Sequence, residues 1–192
     1  MTSRSLPARE AGFTLVELTV VISIIGILTS LATVMLKRDR NAQDVAGVVA
    51  GRIGECVRLA QMSGPVRPDV AETGITARVR LVVDPASGDQ QTLTLARLLE
   101  NELPAHTAMW EDISTVVTGA GIRIVGYRNE AVLTQGDEPT DLLGSTSTLS
   151  IECFPDGTTV ARTLYLEGAG GTERARVAVL PLTGEALVTG GW

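Results

Sequence analysis

Hydropathy divides the chain into a short polar start, a long apolar run and a mixed remainder. Residues 13–36 are apolar almost throughout, and Glu17 is the only charge among them. About 20 residues at a rise of about 1.5 Å each cover a hydrocarbon core, so this run predicts a membrane-spanning helix. The apolar region of a secretory signal is shorter, at about 7 to 15 residues. Farther on, Ala42, Val45, Ala46, Val49, Ile53, Cys56, Val57 and Ala60 recur at spacings of three and four. That pattern draws one apolar stripe and predicts an amphipathic continuation of the same helix, ended by Ser63-Gly64-Pro65. A single helix over 13–62 would be about 75 Å long.

Beyond residue 63 the period changes from helical to alternating. Strands are expected at 75–83 and 91–96 around a turn at 85–89, and at 122–127, followed by a polar loop at 135–141. Residues 97–112 suit a short helix and loop, with Trp110 as a buried anchor. The last third predicts an antiparallel meander of strands at 148–154, 163–167, 174–182 and 186–189, separated by Pro-Asp-Gly, Gly-Ala-Gly-Gly and Thr-Gly turns. A chain of 192 residues is long enough for one head with a real core. Aromatic residues are only 3% of it, so that core must be built from Val, Leu, Ile and Ala.

Charge sharpens this picture. From Ser63 onward there are nine Arg, no Lys and seventeen Asp plus Glu, so the head carries 9 − 17 = −8. An acidic head repels phosphate and argues against sequence-independent nucleic-acid binding. Arg4 and Arg9 precede the apolar run while Lys37, Arg38 and Arg40 follow it, so basic residues do not fix its orientation; the second group is suited to lipid headgroups. Gly47, Gly51 and Gly54 share one helix face, which fits either close packing against another helix or a tolerant surface.

Glu17 is the anomaly. A carboxylate at membrane depth costs a few kcal/mol, which makes an intramembrane acid a functional hypothesis. No Lys or Arg of the same segment lies on its helix face, so the sequence points to a counter-charge from elsewhere.

The run Ala11-Gly12-Phe13-Thr14-Leu15-Val16-Glu17-Leu18 resembles the prepilin signature of type IV pilins and type II secretion pseudopilins. The resemblance implies an α+β type IV pilin fold. A long N-terminal helix, transmembrane in its first half and amphipathic in its second, would pack on an antiparallel β-sheet head. Residues 1–12 would be a leader removed by a prepilin peptidase after Gly12, leaving an N-methylated Phe13. Residues 13–36 would be the transmembrane and filament-core helix, 37–62 the amphipathic half of the same helix, and 63–192 a periplasmic head. Cleavage would create an ammonium group at Phe13, which attracts a carboxylate strongly in low dielectric. Glu17 would pair either with Phe13 of a neighbouring subunit, setting axial register, or with Phe13 of its own chain at i to i+4.

The C-terminal part is similar to the GspH/FimT group of minor pseudopilins and pilins, through the Phe154-Pro155-Asp156-Gly157 hairpin and the Thr183-Gly184 turn. That resemblance implies a minor subunit that primes or caps a filament, in a type IV pilus or in the type II secretion machine. Residues 32–36 lack the proline many major pilins carry, which also suits a minor subunit. Implied partners are other major and minor pilins or pseudopilins, the prepilin peptidase and an inner-membrane assembly platform. DNA-binding members of the group place arginines after the final turn; here Glu185 leads into an uncharged tail ending at Trp192, which argues against nucleic acid as a partner. A different class of reading is a monomeric membrane-anchored periplasmic binding or adhesion module, with the helix only a tether.

Cys56 and Cys153 have no metal-ligand or Cys-x-x-Cys spacing; they fit one disulfide in an exported head, or two buried thiols. No enzymatic constellation, metal or cofactor is expected. His106 is the only histidine, and Gly168-Ala169-Gly170-Gly171 lacks the Lys-Ser/Thr of a phosphate loop. Asp137, Glu138 and Asp141 lack the ordered spacing of a calcium loop.

Overall fold

The structure is a computed structural model that describes residues 15–36, 41–72, 74–87, 90–99, 109–119, 121–134, 136–144, 146–168 and 170–192, with backbone alone at 30–36 and 86–87. The chain divides into two compact units, Met1–Asp39 and Arg40–Trp192. The first holds helix α1, Leu15–Leu36. The second holds α2 (Ala42–Ser63), a single turn α3 (Pro68–Ala71) and nine strands.

The expectation of one unbroken helix is corrected here. Asn41 is extended, with φ −80° and ψ 165°, and α2 begins afresh behind it. The cause is a capping box: Asn41 Oδ1 accepts from the Asp44 backbone N–H at 2.8 Å, and the Asn41 N–H donates to Asp44 Oδ2 at 3.3 Å. Glu173 Oε2, from the head, accepts from the Ala42 N–H at 3.4 Å. With its first N–H groups satisfied by side chains, α2 does not need a preceding helical turn. Its other end falls where Ser63-Gly64 predicts, at a Gly64 with φ +70°.

The strands form two antiparallel sheets rather than one. Strands β1 (Val79–Ser87), β2 (Gln90–Leu99), β3 (Met109–Val117) and β6 (Leu149–Cys153) make a four-stranded sheet in the order β3-β2-β1-β6. Strands β4 (Arg123–Arg128), β5 (Asp141–Leu142), β7 (Arg162–Glu167), β8 (Arg174–Val179) and β9 (Ala186–Gly190) make a five-stranded sheet in the order β5-β4-β7-β8-β9. The expected C-terminal meander therefore holds for β7, β8 and β9 but not for β6, which pairs with the distant β1. Residues 97–112 also differ from expectation: β2 continues to Leu99 and β3 starts at Met109, with the intervening residues outside those described.

Register explains the core. Leu93, Val83 and Leu149 stand in one cross-strand row, and Leu95, Leu81 and Ile151 in the next. In the other sheet Leu164, Val177 and Val188 align. The predicted stripe of α2 packs with these rows in one cluster drawn from both sheets. Alternation along each strand carries these residues to the α2 side. Trp110, expected as an anchor, is instead half-exposed at the edge, with the Arg80 guanidinium 3.8 Å from its ring centre. Among the described residues, Tyr165 is the aromatic that is fully buried.

Gln91 joins the two sheets. Its buried carboxamide donates to Ile124 O at 2.9 Å and accepts from the Ile124 N–H, so one side chain completes the backbone hydrogen bonds of a residue in the other sheet. Gln91→Leu should cost about 2 to 4 kcal/mol, because two buried backbone groups lose their partner at about 1 to 3 kcal/mol each. The midpoint of urea unfolding measures this; a change below about 0.5 kcal/mol would mean that water replaces the amide without penalty.

On the face of the five-stranded sheet away from α2, residues 129–134 lie over Thr163, Tyr165 and Arg176. Thr163 Oγ1 donates to Glu130 O at 2.7 Å and accepts from the Val132 N–H at 2.8 Å. Arg176, 1% exposed, donates to the carbonyls of Leu133 and Thr134 and to Thr189 Oγ1. Its charge is thus met, among the described residues, by neutral oxygens rather than a carboxylate. The C-terminal Trp192 packs edge-on against Tyr165 with ring centres 5.4 Å apart, beneath the Arg174 guanidinium.

Candidate assembly and processing site

The side chains of α1 described here are apolar on every side. Leu15, Val16, Leu18, Val20, Val21, Ile22, Ile24, Ile25, Ile27 and Leu28 all expose large parts of themselves. A helix with no polar face cannot be a solvated surface helix; its stable setting is one in which the whole circumference is covered. The three hydroxyls among the described side chains fit the character of this surface. Thr19 donates to Val16 O at 2.8 Å, Ser23 to Thr19 O at 2.8 Å and Thr29 to Ile25 O at 2.7 Å. Each is satisfied by its own backbone, leaving little polar demand on the surroundings. Among the described residues no helix is long and apolar enough to cross a membrane, the described side chains of α1 ending at Thr29.

Glu17 stands in the first turn of α1, where the unsatisfied N–H groups of a helix start favour negative charge, and its side chain is exposed. Gly12 and Phe13, the expected processing residues, lie outside the described residues, as does His106. Residues 7–33 match the prokaryotic N-terminal methylation motif. That motif is typical of type IV pilins and pseudopilins and marks a structural subunit that a prepilin peptidase cleaves and methylates. No curated protein and no solved structure matches the chain. The pilin-like motif and the α+β head together are the architecture expected from the sequence.

The second unit, Arg40–Trp192, is organised around the seat of α2. Cys56 on α2 and Cys153 at the end of β6 are joined by a disulfide, with Cα atoms 6.0 Å apart and both residues wholly buried. Closing a loop across 97 residues contributes about 4 to 5 kcal/mol in the chain-entropy model. Just beyond Cys153, Gly157 has φ +88° and lies so near α2 that an added Cβ would sit 2.6 Å from Gln61 Nε2. Gly184 has φ +62°, and its added Cβ would sit 2.6 Å from Val57 Cγ2 and 2.8 Å from Gly157 O. The two turns noted in the sequence as family-like are therefore neighbours that close against the same end of α2. Their contact with the helix is not signalled by the sequence itself.

Asp156 shapes the first of these turns: its Oδ1 accepts from the Thr158 hydroxyl at 2.7 Å and the Thr158 N–H at 3.0 Å, which holds its carboxyl below the usual range. Gly47, Gly51 and Gly54 are exposed, and nothing lies within 4 Å of where a Cβ would stand on any of them. Of the three acidic residues weighed for calcium, Asp137 is engaged by the Thr134 hydroxyl at 3.0 Å and by Arg128 at 3.8 Å. Among the described residues no cluster of His, Cys, Asp or Glu could hold a metal ion.

Proposed function

We propose that this chain is a minor, pilin-like structural subunit that helps to initiate or cap a type IV pilus through its N-terminal helix. The observation that carries this reading is α1: an all-round apolar helix with a single acid in its first turn, beginning within a matched methylation motif. Its 22 residues measure about 33 Å along the axis, close to the hydrocarbon thickness of a bilayer, and its full sequence holds one charge. Before assembly the helix is an inner-membrane anchor; afterwards it is the buried strut of a filament. Glu17 of an incoming subunit pairs with the Phe13 ammonium of its neighbour, the leader having been removed after Gly12.

Orientation gains support from the Cys56–Cys153 bond. Such a bond persists outside the cytoplasm, so the head is periplasmic and the start of α1 faces the cytoplasm, where basic residues on both sides of the helix leave the question open. Partners are other pilins, the prepilin peptidase and an inner-membrane assembly platform.

Intact mass of the protein extracted from membranes tests the reading. The expected species lacks residues 1–12 and carries one added methyl group. Material that begins at Met1 in a working strain would rule the proposal out. Copurification with secretion components instead of pilus components would move the same chain to the pseudopilin role.

A further inference from the structure

We infer that oxidation of Cys56 and Cys153 takes place before α2 docks on the sheets, so that a thiol-oxidising enzyme acts on this chain between its export and its assembly. The inference rests on the exported head proposed above. Its physical basis is burial: both cysteines have no exposed surface, Cys56 within the apolar stripe of α2 and Cys153 at the end of β6.

Disulfide formation requires a third sulfur to reach one of these two. A deprotonated Sγ attacks the disulfide of a dithiol oxidase and forms a mixed disulfide. The second Sγ, also deprotonated, then attacks its partner sulfur, making the Cys56–Cys153 bond and releasing the oxidase as a dithiol. Two electrons pass to the oxidase, and the two protons given up by Cys56 and Cys153 are taken up, by way of water, by its two reduced sulfurs. Both transfers need a thiolate that an enzyme can touch. In the folded head none is offered.

The surroundings reinforce the seal. Cys153 bridges to Thr159 across the hairpin that carries Gly157. Val57, next to Cys56, is held under Gly184, so the second turn lies over the same region. Reaching either sulfur means lifting α2 or opening both turns, which is a sub-global unfolding step rather than a local fluctuation. The consequence is an obligatory order in which the oxidising step comes first and packing of the α2 stripe on both sheets completes around the finished bond.

The test uses the full chain in detergent micelles, reduced and denatured, then returned to folding conditions. Oxidised glutathione with a dithiol oxidase is added either at once or after a delay. Free thiols are counted by a maleimide gel shift, and docking of α2 is followed in the same samples by hydrogen exchange of amides 45–60. We expect thiols to be lost quickly while those amides are unprotected, and about a hundredfold more slowly once they are protected. A reduced chain whose α2 never becomes protected until oxidant is added gives the same order in its extreme form. Protected α2 amides coexisting with thiols that oxidise as fast as in the denatured chain would overturn the inference. This assay involves no pilus, so its failure would leave the filament reading standing, and the reverse.

Discussion

Glu17→Val should leave the protein in the membrane at normal or higher levels and remove it from filaments. An acid costs about 3 kcal/mol at the centre of a membrane helix and less near its end, where Glu17 stands, so replacing it with Val makes α1 a somewhat better membrane helix. A sequence that keeps this penalty in an otherwise uncharged helix needs a gain elsewhere, and pairing with an ammonium in low dielectric supplies one. Membrane and sheared-filament fractions, probed for the head, separate the two effects. Glu17→Gln keeps size and polarity but removes the charge, and should fail at assembly as well. Normal incorporation of both variants would sink the assembly role of Glu17 and favour the rival picture of a tethered monomer.

A large loss of stability from a single small change is expected at Gly184. Gly184→Val combines a left-handed backbone with a Cβ 2.6 Å from Val57 and 2.8 Å from the backbone oxygen of Gly157. Neither obstacle yields readily: Val57 is packed in the core, and the Gly157 oxygen is backbone, in a turn closed by the Gly157 N–H donating to Phe154 O at 3.0 Å. Strain at φ > 0 and overpacking together should cost about 3 to 4 kcal/mol, a fall in Tm of about 10 °C for a head of this size. Gly170→Val is the control, since Gly170 has φ +102° but nothing within 4 Å of its added Cβ. It should lose only the conformational part, about 1 to 2 kcal/mol. Equal losses at both positions would show that backbone conformation alone, and not the approach to α2, demands glycine there.

Local signals were legible in the sequence wherever a single period or a single turn residue decided the outcome. The eight apolar positions of α2 are all buried as the spacing of three and four requires, and Gly64 ends the helix. Strands β7, β8 and β9 lie between turns marked by glycine. What escaped was set by competition or by distant pairing. The break before α2 is hidden because Asn41 and Asp44 interrupt no hydrophobic period, yet their mutual capping overrides the continuation. Strand β3 is an edge, exposed along much of its length, so Met109–Val117 shows no alternation to find. The assignment of β6 to the sheet of β1 depends on partners some seventy residues away, which no local pattern encodes. At the candidate site, Glu17 was visible as an outlier in hydropathy, whereas the seating of Gly157 and Gly184 on α2 required the fold.

The inward-turned hydroxyls of Thr19, Ser23 and Thr29 bear on how such helices could be stacked. Two rods with greasy, chemically uniform sides slide and spin past one another at small cost, because each new alignment offers nearly the same dispersion contacts as the last. Position along the fibre axis must then be chosen at a few isolated points, of which the acid in the first turn of the helix is one. A copy deprived of the acid would have no preferred level along the axis, and nothing would hold it in the fibre.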